Sequence, residues 1–368
     1  FTLQDEAAQA QFKQLLSMLD NPITSLALTG HFKRFVDLSP RQREQALQRW
    51  SRSPIGLLRQ GFQGLKRLTH VLYYITLDAN GSNPNWQTIG YPQSPQLLRK
   101  NSSSTLRSTS NESDLTLNCD AVIIGSGAGG GVVAGELAQA GKSVIVLEKG
   151  GHFDENTFPD KEAEAYRLMY ENQGILTTRD LGVVLLAGST LGGGTTINWA
   201  ASFRTPDFIL EEWARDYGLK GFLDSSFQHS LDAVCQRSGV NVAEAMPNPQ
   251  NQKLLQGCLA LNYRAAPIPC NVHDCGDTRQ CGFCGFGCAL GSKQSTLKTY
   301  LQDAVDNGAR IVTNVQVDRI LIEHGQAIGV TGTSIDPAGR SRRVTIRSKI
   351  VVAAAGSIHS PAILMRSS

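Results

Sequence analysis

Residues 119–130 have the residue types and the spacing needed to bind the phosphates of a nucleotide. Their sequence, CDAVIIGSGAGG, is an apolar run that leads straight into the pattern Gly-x-Gly-x-x-Gly. Gly125 allows a tight turn, Gly127 lets the backbone approach a pyrophosphate, and Gly130 lets the following helix pack closely on the strand. We predict that helix over residues 132–140, with its N-terminus turned toward the phosphates.

A carboxylate follows at the place expected in a dinucleotide site. A second apolar run, residues 143–147, ends at Glu148, eighteen residues after Gly130. Glu148 could accept hydrogen bonds from ribose hydroxyls, and its charge disfavours a 2′-phosphate. The strand, glycines, helix, second strand and carboxylate together predict dinucleotide binding. Because FAD and NAD both present an ADP ribose, this unit does not distinguish between them.

A second glycine loop occupies residues 188–199, with the sequence GSTLGGGTTINW. Its three successive glycines leave no side chain between the backbone and a group that lies against it. Thr195, Thr196 and Asn198 follow with hydroxyl and amide groups that suit a phosphate, a ribityl chain or a flavin edge. A flexible connection is the alternative interpretation of the triple glycine.

Together these motifs resemble those of the glucose/methanol/choline (GMC) oxidoreductase family. Residues 192–198 are similar to the first signature of that family, and residues 356–361, GSIHSP, are similar to the start of the second. The resemblance extends from about residue 119 to the C-terminus and implies that the cofactor is FAD. Residues 188–206, the segment GSKQST at 291–296 after a cysteine cluster, and a helical N-terminal extension look most like the long-chain fatty alcohol oxidase branch.

The resemblance implies that both glycine loops, one carboxylate and one backbone position bind FAD. The first loop would hold the pyrophosphate, Glu148 the adenosine ribose, the second loop the flavin side, and the backbone of Val317 the adenine. The residues assigned in this way are Gly125, Ser126, Gly127, Ala128, Gly129, Gly130, Glu148, Gly192, Gly193, Gly194, Thr195, Asn198 and Val317. Ile197 stands where some members carry a histidine bonded covalently to flavin, so we expect a dissociable FAD.

The resemblance implies oxidation of a primary alcohol, expected to be long-chain, to an aldehyde by hydride transfer to flavin. Oxygen or another electron acceptor would then reoxidise the reduced flavin. Such a reaction needs a base near the substrate hydroxyl. In the family this base is a histidine in a segment well beyond the second signature, and the chain stops inside that signature. We therefore assign no catalytic residue and expect a C-terminally truncated, inactive chain. The alternatives are an acceptor-linked dehydrogenase of a polyol, sugar or sterol with an iron–sulfur cluster, and a non-catalytic FAD-binding or assembly subunit.

Half of the cysteines lie close together in the sequence. Cys275, Cys281, Cys284 and Cys288 fall within fourteen residues, out of eight cysteines in the chain. Four thiolates at this spacing could hold zinc or an iron–sulfur cluster. Reduced buried cysteines or a disulfide are the alternative, and we assign no metal ligand. A disulfide scaffold spreads its bridges more widely, so we expect a reducing, intracellular compartment.

An α/β domain is needed to position these loops. Short apolar runs alternate with helical stretches after residue 119, which predicts an α/β unit with a parallel sheet. The resemblance implies that residues 119–368 form a Rossmann-like FAD-binding domain. Residues 153–299 would include insertions on the substrate side. Residues 93–118 are rich in serine and poor in large apolar side chains, which predicts a linker.

Residues 1–92 are predicted to form an all-helical extension. Ser39 and Ser53 each precede a proline, a combination that marks a helix start. Between residues 33 and 67 there are nine basic residues and two acidic ones, beside apolar residues at helical spacing. This pattern suits either a helix that faces the core or one that lies peripherally on an anionic membrane. No apolar run is long enough for a membrane span, and we expect no nucleic-acid partner.

Overall fold

The computed structural model describes residues 6–91, 106, 109, 114–179, 182–244, 247–275, 281–335 and 340–368. Contacts divide the chain into two compact units, Phe1–Tyr91 with Glu171–Leu186, and Pro92–Tyr170 with Ala187–Ser368. Most of the predicted linker, residues 93–118, lies outside the described residues. Within the described ranges, no helix combines the length and apolar character needed to cross a bilayer.

The N-terminal part of the first unit is helical, as predicted. Its helices are α1 (Glu6–Asp20), α2 (Pro22–Thr29), α3 (Pro40–Ser51), α4 (Gly56–Ile75) and α5 (Pro84–Ile89). Ser39 caps α3 through a reciprocal pair of hydrogen bonds with Gln42. The predicted start at Ser53 is wrong, because the Ser53 hydroxyl accepts from the Ile55 N–H in a turn before α4. Buried Trp50 donates to the Leu28 carbonyl and ties α3 to α2.

The described part of the second unit contains one six-stranded sheet. Its strands are β1 (Leu115–Ile124), β2 (Val144–Leu147), β3 (Arg310–Val312), β4 (Val315–Glu323), β5 (Gln326–Ile335) and β6 (Ser341–Ala353), in the order β3-β2-β1-β6-β5-β4. The first four strands in that order are parallel, as predicted, whereas β5 and β4 are antiparallel additions. The domain begins before residue 119, because Leu115 already pairs with Val344 of β6.

Helices cover both faces of the sheet. On one face, Ala121 and Ile123 pack with residues of α6 (Ala128–Gln139) and α12 (Tyr300–Asp306). On the other face, Val122 and Ile124 pack with Ile363 of α13 (Gly356–Ser367). A strand that is buried on both faces reads as a continuous apolar run, and this is why β1 could be recognised in the sequence.

A long insertion separates β2 from β3. It contains α7 (Glu162–Met169), α8 (Gly194–Ile197), α9 (Asp207–Tyr217), α10 (Ser225–Arg237) and α11 (Pro249–Ala260). Neither α10 nor α11 has a buried residue. The insertion contacts the core below the sheet through Met169 of α7, through Leu191 and Ile197 of the second glycine loop, and through Leu297 before α12.

Candidate functional site

The first glycine loop connects the end of β1 to the start of α6. Gly125 has φ +98°, and a Cβ there would lie 2.6 Å from the Ala354 carbonyl oxygen at the end of β6. A Cβ on Gly130 would lie 1.9 Å from the Gly125 carbonyl oxygen. Only glycine allows this approach of helix to strand. Ala128 and Gly129 are exposed, so the first turn of α6, with its unpaired N–H groups, is open to a ligand.

The second glycine loop lies directly against the first. Gly193 has φ +53°, and a Cβ there would lie 2.8 Å from the Cα of Gly127. The Gly192 N–H donates to the Ser126 hydroxyl over 2.9 Å. Gly194, the next residue, is exposed, and a Cβ on it would meet no atom within 4 Å. The two loops thus form one backbone-lined surface that is open to solvent.

Glu148 follows β2 with a nearly buried side chain, 6% exposed. Its Oε2 accepts hydrogen bonds from the Ser126 N–H (3.1 Å) and hydroxyl, and its Oε1 accepts from the Gly150 N–H (2.8 Å). The two oxygens of a carboxylate accept about four hydrogen bonds, so one position on Oε1 remains for a ribose hydroxyl. Burial raises the pKa of this carboxyl, and the hydrogen bonds from Ser126 and Gly150 oppose that rise.

Ser126 has a different role from the direct cofactor contact that the sequence predicts. It is completely buried, so neither its side chain nor its backbone faces the open surface of the loops. Its hydroxyl donates to Glu148 and accepts from Gly192, and its carbonyl accepts from the Thr296 hydroxyl over 3.2 Å. Ser126 therefore fixes the positions of groups that could reach a cofactor.

Residues 292–298 form a third part of the site to which the sequence assigned no role. The Thr296 hydroxyl lies 2.9 Å from the Thr195 hydroxyl, and the Thr296 N–H donates to the same Thr195 oxygen over 3.1 Å. Thr296 also packs against α6, where a Cβ on Gly131 would lie 2.8 Å from its Cβ. Thr296 belongs to a motif that supported the family resemblance, but spacing alone does not reveal what it contacts.

The remaining predicted residues lie around this centre. The Glu148 N–H donates to the Val312 carbonyl, and the Val315 N–H donates to the Glu148 carbonyl, each over 2.9 Å. Val317 of β4 is 5% exposed and lies two residues after Val315. It is therefore close in sequence to the residue that pairs with the Glu148 backbone. Ile197 is buried in the core, and the expectation of a dissociable FAD stays a prediction.

The four clustered cysteines line one cavity together with Lys293. All eight thiols are free, and within the described ranges no group of three or more His, Cys, Asp or Glu side chains is arranged to hold a metal ion. Burial raises the pKa of Cys275 to about 11, with a further contribution from Cys284, and burial also raises the pKa of Cys284 itself.

The geometry of the loops fits a dinucleotide such as FAD. Glycine backbones at Gly127 and Gly193 keep side chains out of the contact between the loops, and the surface is open beside Gly129 and Gly194. An open helix N-terminus suits a pyrophosphate, and the remaining acceptor of Glu148 suits a ribose. The described site can therefore bind and orient a dinucleotide.

Comparison with known proteins gives matches over most of the chain. Residues 166–368 match the family model described as GMC oxidoreductase, and residues 120–158 match the one described as FAD binding domain. Long-chain-alcohol oxidase FAO4A of Arabidopsis thaliana is 31% identical over 96% of this chain and 56% of its own length. For FAO4B of the same plant the identity is 34%, over 91% of this chain and 50% of that protein.

The chain spans about half the length of the curated relatives that it matches. Among solved structures, the crystal structure of pyridoxine 4-oxidase from Mesorbium loti aligns with a TM-score of 0.47 and 19% identity. That alignment covers 68% of this chain and 52% of the other.

Proposed function

The chain belongs to the GMC oxidoreductase family with FAD as its cofactor, and we propose that it serves the oxidation of long-chain primary alcohols to aldehydes. The observation that carries the proposal is the extent of the similarity to long-chain-alcohol oxidases, 91–96% of this chain in the two relatives described. When bound, FAD supplies the acceptor for the hydride that leaves the alcohol carbon.

The residues of this chain contribute binding and orientation to that reaction. The N-terminus of α6 would bind the pyrophosphate, and Glu148 would accept a hydrogen bond from the adenosine ribose. The second glycine loop would hold the flavin side, with Gly192 and Thr195 kept in place by Ser126 and Thr296. These bonds support a rigid cradle, which keeps a reactive ring within reach of a substrate.

We propose oxygen as the electron acceptor, because the relatives that match nearly the whole chain are named oxidases. An enzyme that used another acceptor would be reduced by its alcohol in the same way but would form no hydrogen peroxide when oxygen is admitted. The two acceptors can therefore be distinguished in a single experiment.

The test starts from the complete reading frame that contains this chain, purified with its flavin. The protein is mixed without oxygen with primary alcohols of increasing chain length, and bleaching of the flavin absorbance is followed. We expect the fastest bleaching with the longest alcohols, and peroxide when oxygen is admitted. Bleaching by a sugar, sterol or polyol alone would contradict the substrate, and no bleaching by any alcohol would favour a non-catalytic subunit.

We also propose that the first unit contacts an anionic membrane surface inside the cell. Several large apolar side chains there are strongly exposed: Ile23 is 69%, Phe32 66%, Val36 62% and Leu57 76% exposed. Nine basic residues against two acidic ones between positions 33 and 67 provide the complementary charge. Basic residues next to exposed apolar side chains are typical of peripheral membrane binding.

Sedimentation with lipid vesicles tests this contact. We expect the protein to bind vesicles that contain phosphatidylserine, to bind pure phosphatidylcholine more weakly, and to lose the difference at high salt. The double variant Phe32→Ser, Val36→Ser should bind less than the parent. Equal sedimentation with both vesicle types at low salt would rule out the proposed electrostatic contribution.

A further inference from the structure

Lys293 is a buried lysine whose hydrogen bonds go to the backbone. The residue is 2% exposed. Its Nζ donates to the Asn198 carbonyl over 2.7 Å and to the Cys284 carbonyl over 2.8 Å. Burial lowers the pKa of Lys293 to about 8, whereas the nearby Cys284 and Cys288 thiols act in the opposite direction. A charge in this place is costly to bury, so the two bonds that hold it need an explanation.

Those two bonds join separate parts of the molecule. Asn198 follows α8 at the end of the second glycine loop, and Cys284 lies in the cysteine segment, which we define as residues 281–288. The cysteine segment also packs on both sides of Gly285: the Tyr170 hydroxyl donates to its carbonyl over 2.8 Å, and a Cβ on it would lie 3.4 Å from the Trp199 ring. The cysteine segment thus rests against the end of the loop.

The opposite end of the same loop is held by different residues. Gly192 donates to Ser126, and Thr195 contacts Thr296. The loop is therefore fixed at Gly192, before α8, and at Thr195, within α8, by two hydroxyl groups, and at Asn198, after α8, by one ammonium group. The loop ends at Asn198, whose carbonyl accepts a hydrogen bond from Lys293. The hydroxyl contacts involve Gly192 and Thr195, so they would not hold this carbonyl if Lys293 were lost.

We propose that Lys293 is a positioning residue that couples the cysteine segment to the FAD site. It fixes the Asn198 carbonyl, so that FAD bound against the second glycine loop stiffens the cysteine segment, and loss of Lys293 loosens the flavin. The proposal rests on the flavin side of FAD lying at the second glycine loop, as the resemblance implies.

Hydrogen exchange of the unmodified protein, with and without saturating FAD, provides the first test. In the cysteine segment, the Phe286 N–H bonds to the Phe283 carbonyl and the Gly287 N–H to the Cys284 carbonyl. We expect FAD to slow exchange of peptides that cover these amides several-fold, and to leave peptides from α11 unchanged. Protection of the first glycine loop without any change in the cysteine segment would overturn the coupling alone. Absence of protection at both would refute the cofactor site as well.

Substitutions provide the second test. Lys293→Met keeps the volume but removes the donors, and Lys293→Gln keeps N–H donors without the charge. We expect Lys293→Met to weaken FAD binding about tenfold or more, as for one charge-assisted hydrogen bond, and to change the visible circular dichroism of the bound flavin. Lys293→Gln should recover part of both. Lys253→Met, the same change at an exposed residue of α11, should match the parent.

A merely structural lysine would behave differently. Lys293→Met would then unfold at a lower temperature but would bind FAD with the affinity and the flavin dichroism of the parent, and this result would overturn the proposal. If Lys293→Met does not fold, the exchange experiment on the unmodified protein still decides, because it needs no variant.

Discussion

Replacing Ser126 with alanine removes two hydrogen bonds from the buried centre of the cofactor site. The Ser126 hydroxyl donates to the Glu148 carboxylate and accepts from the Gly192 N–H over 2.9 Å. Ser126 is 0% exposed, so water cannot take the place of the missing hydroxyl without opening the structure. Alanine therefore leaves the Gly192 N–H without its acceptor and the Glu148 carboxylate with one donor fewer.

The expected loss of stability is large because Glu148 and Gly192 each lose a hydrogen bond. A hydrogen bond to a charged group contributes about 1.5–3 kcal/mol, and an orphaned buried donor costs about 1–3 kcal/mol. These contributions overlap, so we expect Ser126→Ala to lower the free energy of unfolding of the second unit by about 3 kcal/mol. Ser143 offers a matched control. Its hydroxyl donates to the Asp120 carboxylate over 2.8 Å and accepts from the Asp120 N–H over 2.8 Å.

Ser143 is exposed, so water replaces both of its bonds and Ser143→Ala should cost only about 0.5 kcal/mol. Native-state hydrogen exchange of slow amides in β1 and β2 measures both losses within the second unit, independently of the first. If Ser126→Ala costs no more than Ser143→Ala, burial is not what gives Ser126 its importance, and the reasoning fails.

Three further predictions concern the second glycine loop, the carboxyl group of Glu148 and the thiol of Cys275. Gly193→Ala introduces a side chain at φ +53° and 2.8 Å from the Gly127 Cα, so FAD titration should show at least tenfold weaker binding, whereas Gly257→Ala, in open space on α11, should bind normally. Burial raises the pKa of Glu148, so its contribution to stability is present below the unfolded pKa and is lost as the pH rises through the folded pKa. In urea titrations the stability of the parent relative to Glu148→Gln should therefore fall with increasing pH, and a rise would contradict this. With a pKa of about 11, Cys275 should react with iodoacetamide at pH 8 about a hundredfold more slowly than an ordinary thiol, measured by mass spectrometry of its peptide.

The parts of the fold that sequence reasoning could predict are those built from neighbouring residues. The first glycine loop follows β1 and precedes α6 without interruption, so each glycine has a function that its position in the unit defines. The burial of β1 on both faces gives an uninterrupted apolar run, which marks the strand. The antiparallel strands β4 and β5 were not predicted, because their sequences mix apolar residues with polar residues and glycine instead of forming continuous apolar runs.

The parts that could not be predicted depend on contacts between distant residues. Ser126 and Gly192 are 66 positions apart, and Thr195 and Thr296 are 101 apart. A serine in a glycine-rich loop looks like a phosphate ligand, and only the packing of the second loop shows that it is buried. Lys293 likewise stands in a polar motif, GSKQST, and no pattern in that motif indicates a buried ammonium group bonded to Asn198.

Because the site is assembled from distant segments, cofactor affinity and the stability of the second unit should be linked. FAD at a hundred times its Kd would stabilise that unit by about 2.7 kcal/mol, which is close to the loss expected for Ser126→Ala. A thermodynamic cycle separates two roles of Ser126 by comparing how much Ser126→Ala lowers the free energy of unfolding with and without FAD. An equal decrease means that the residue supports the fold alone. A larger decrease with FAD means that it also supports binding. We expect the larger loss, since Ser126 positions both Glu148 and Gly192.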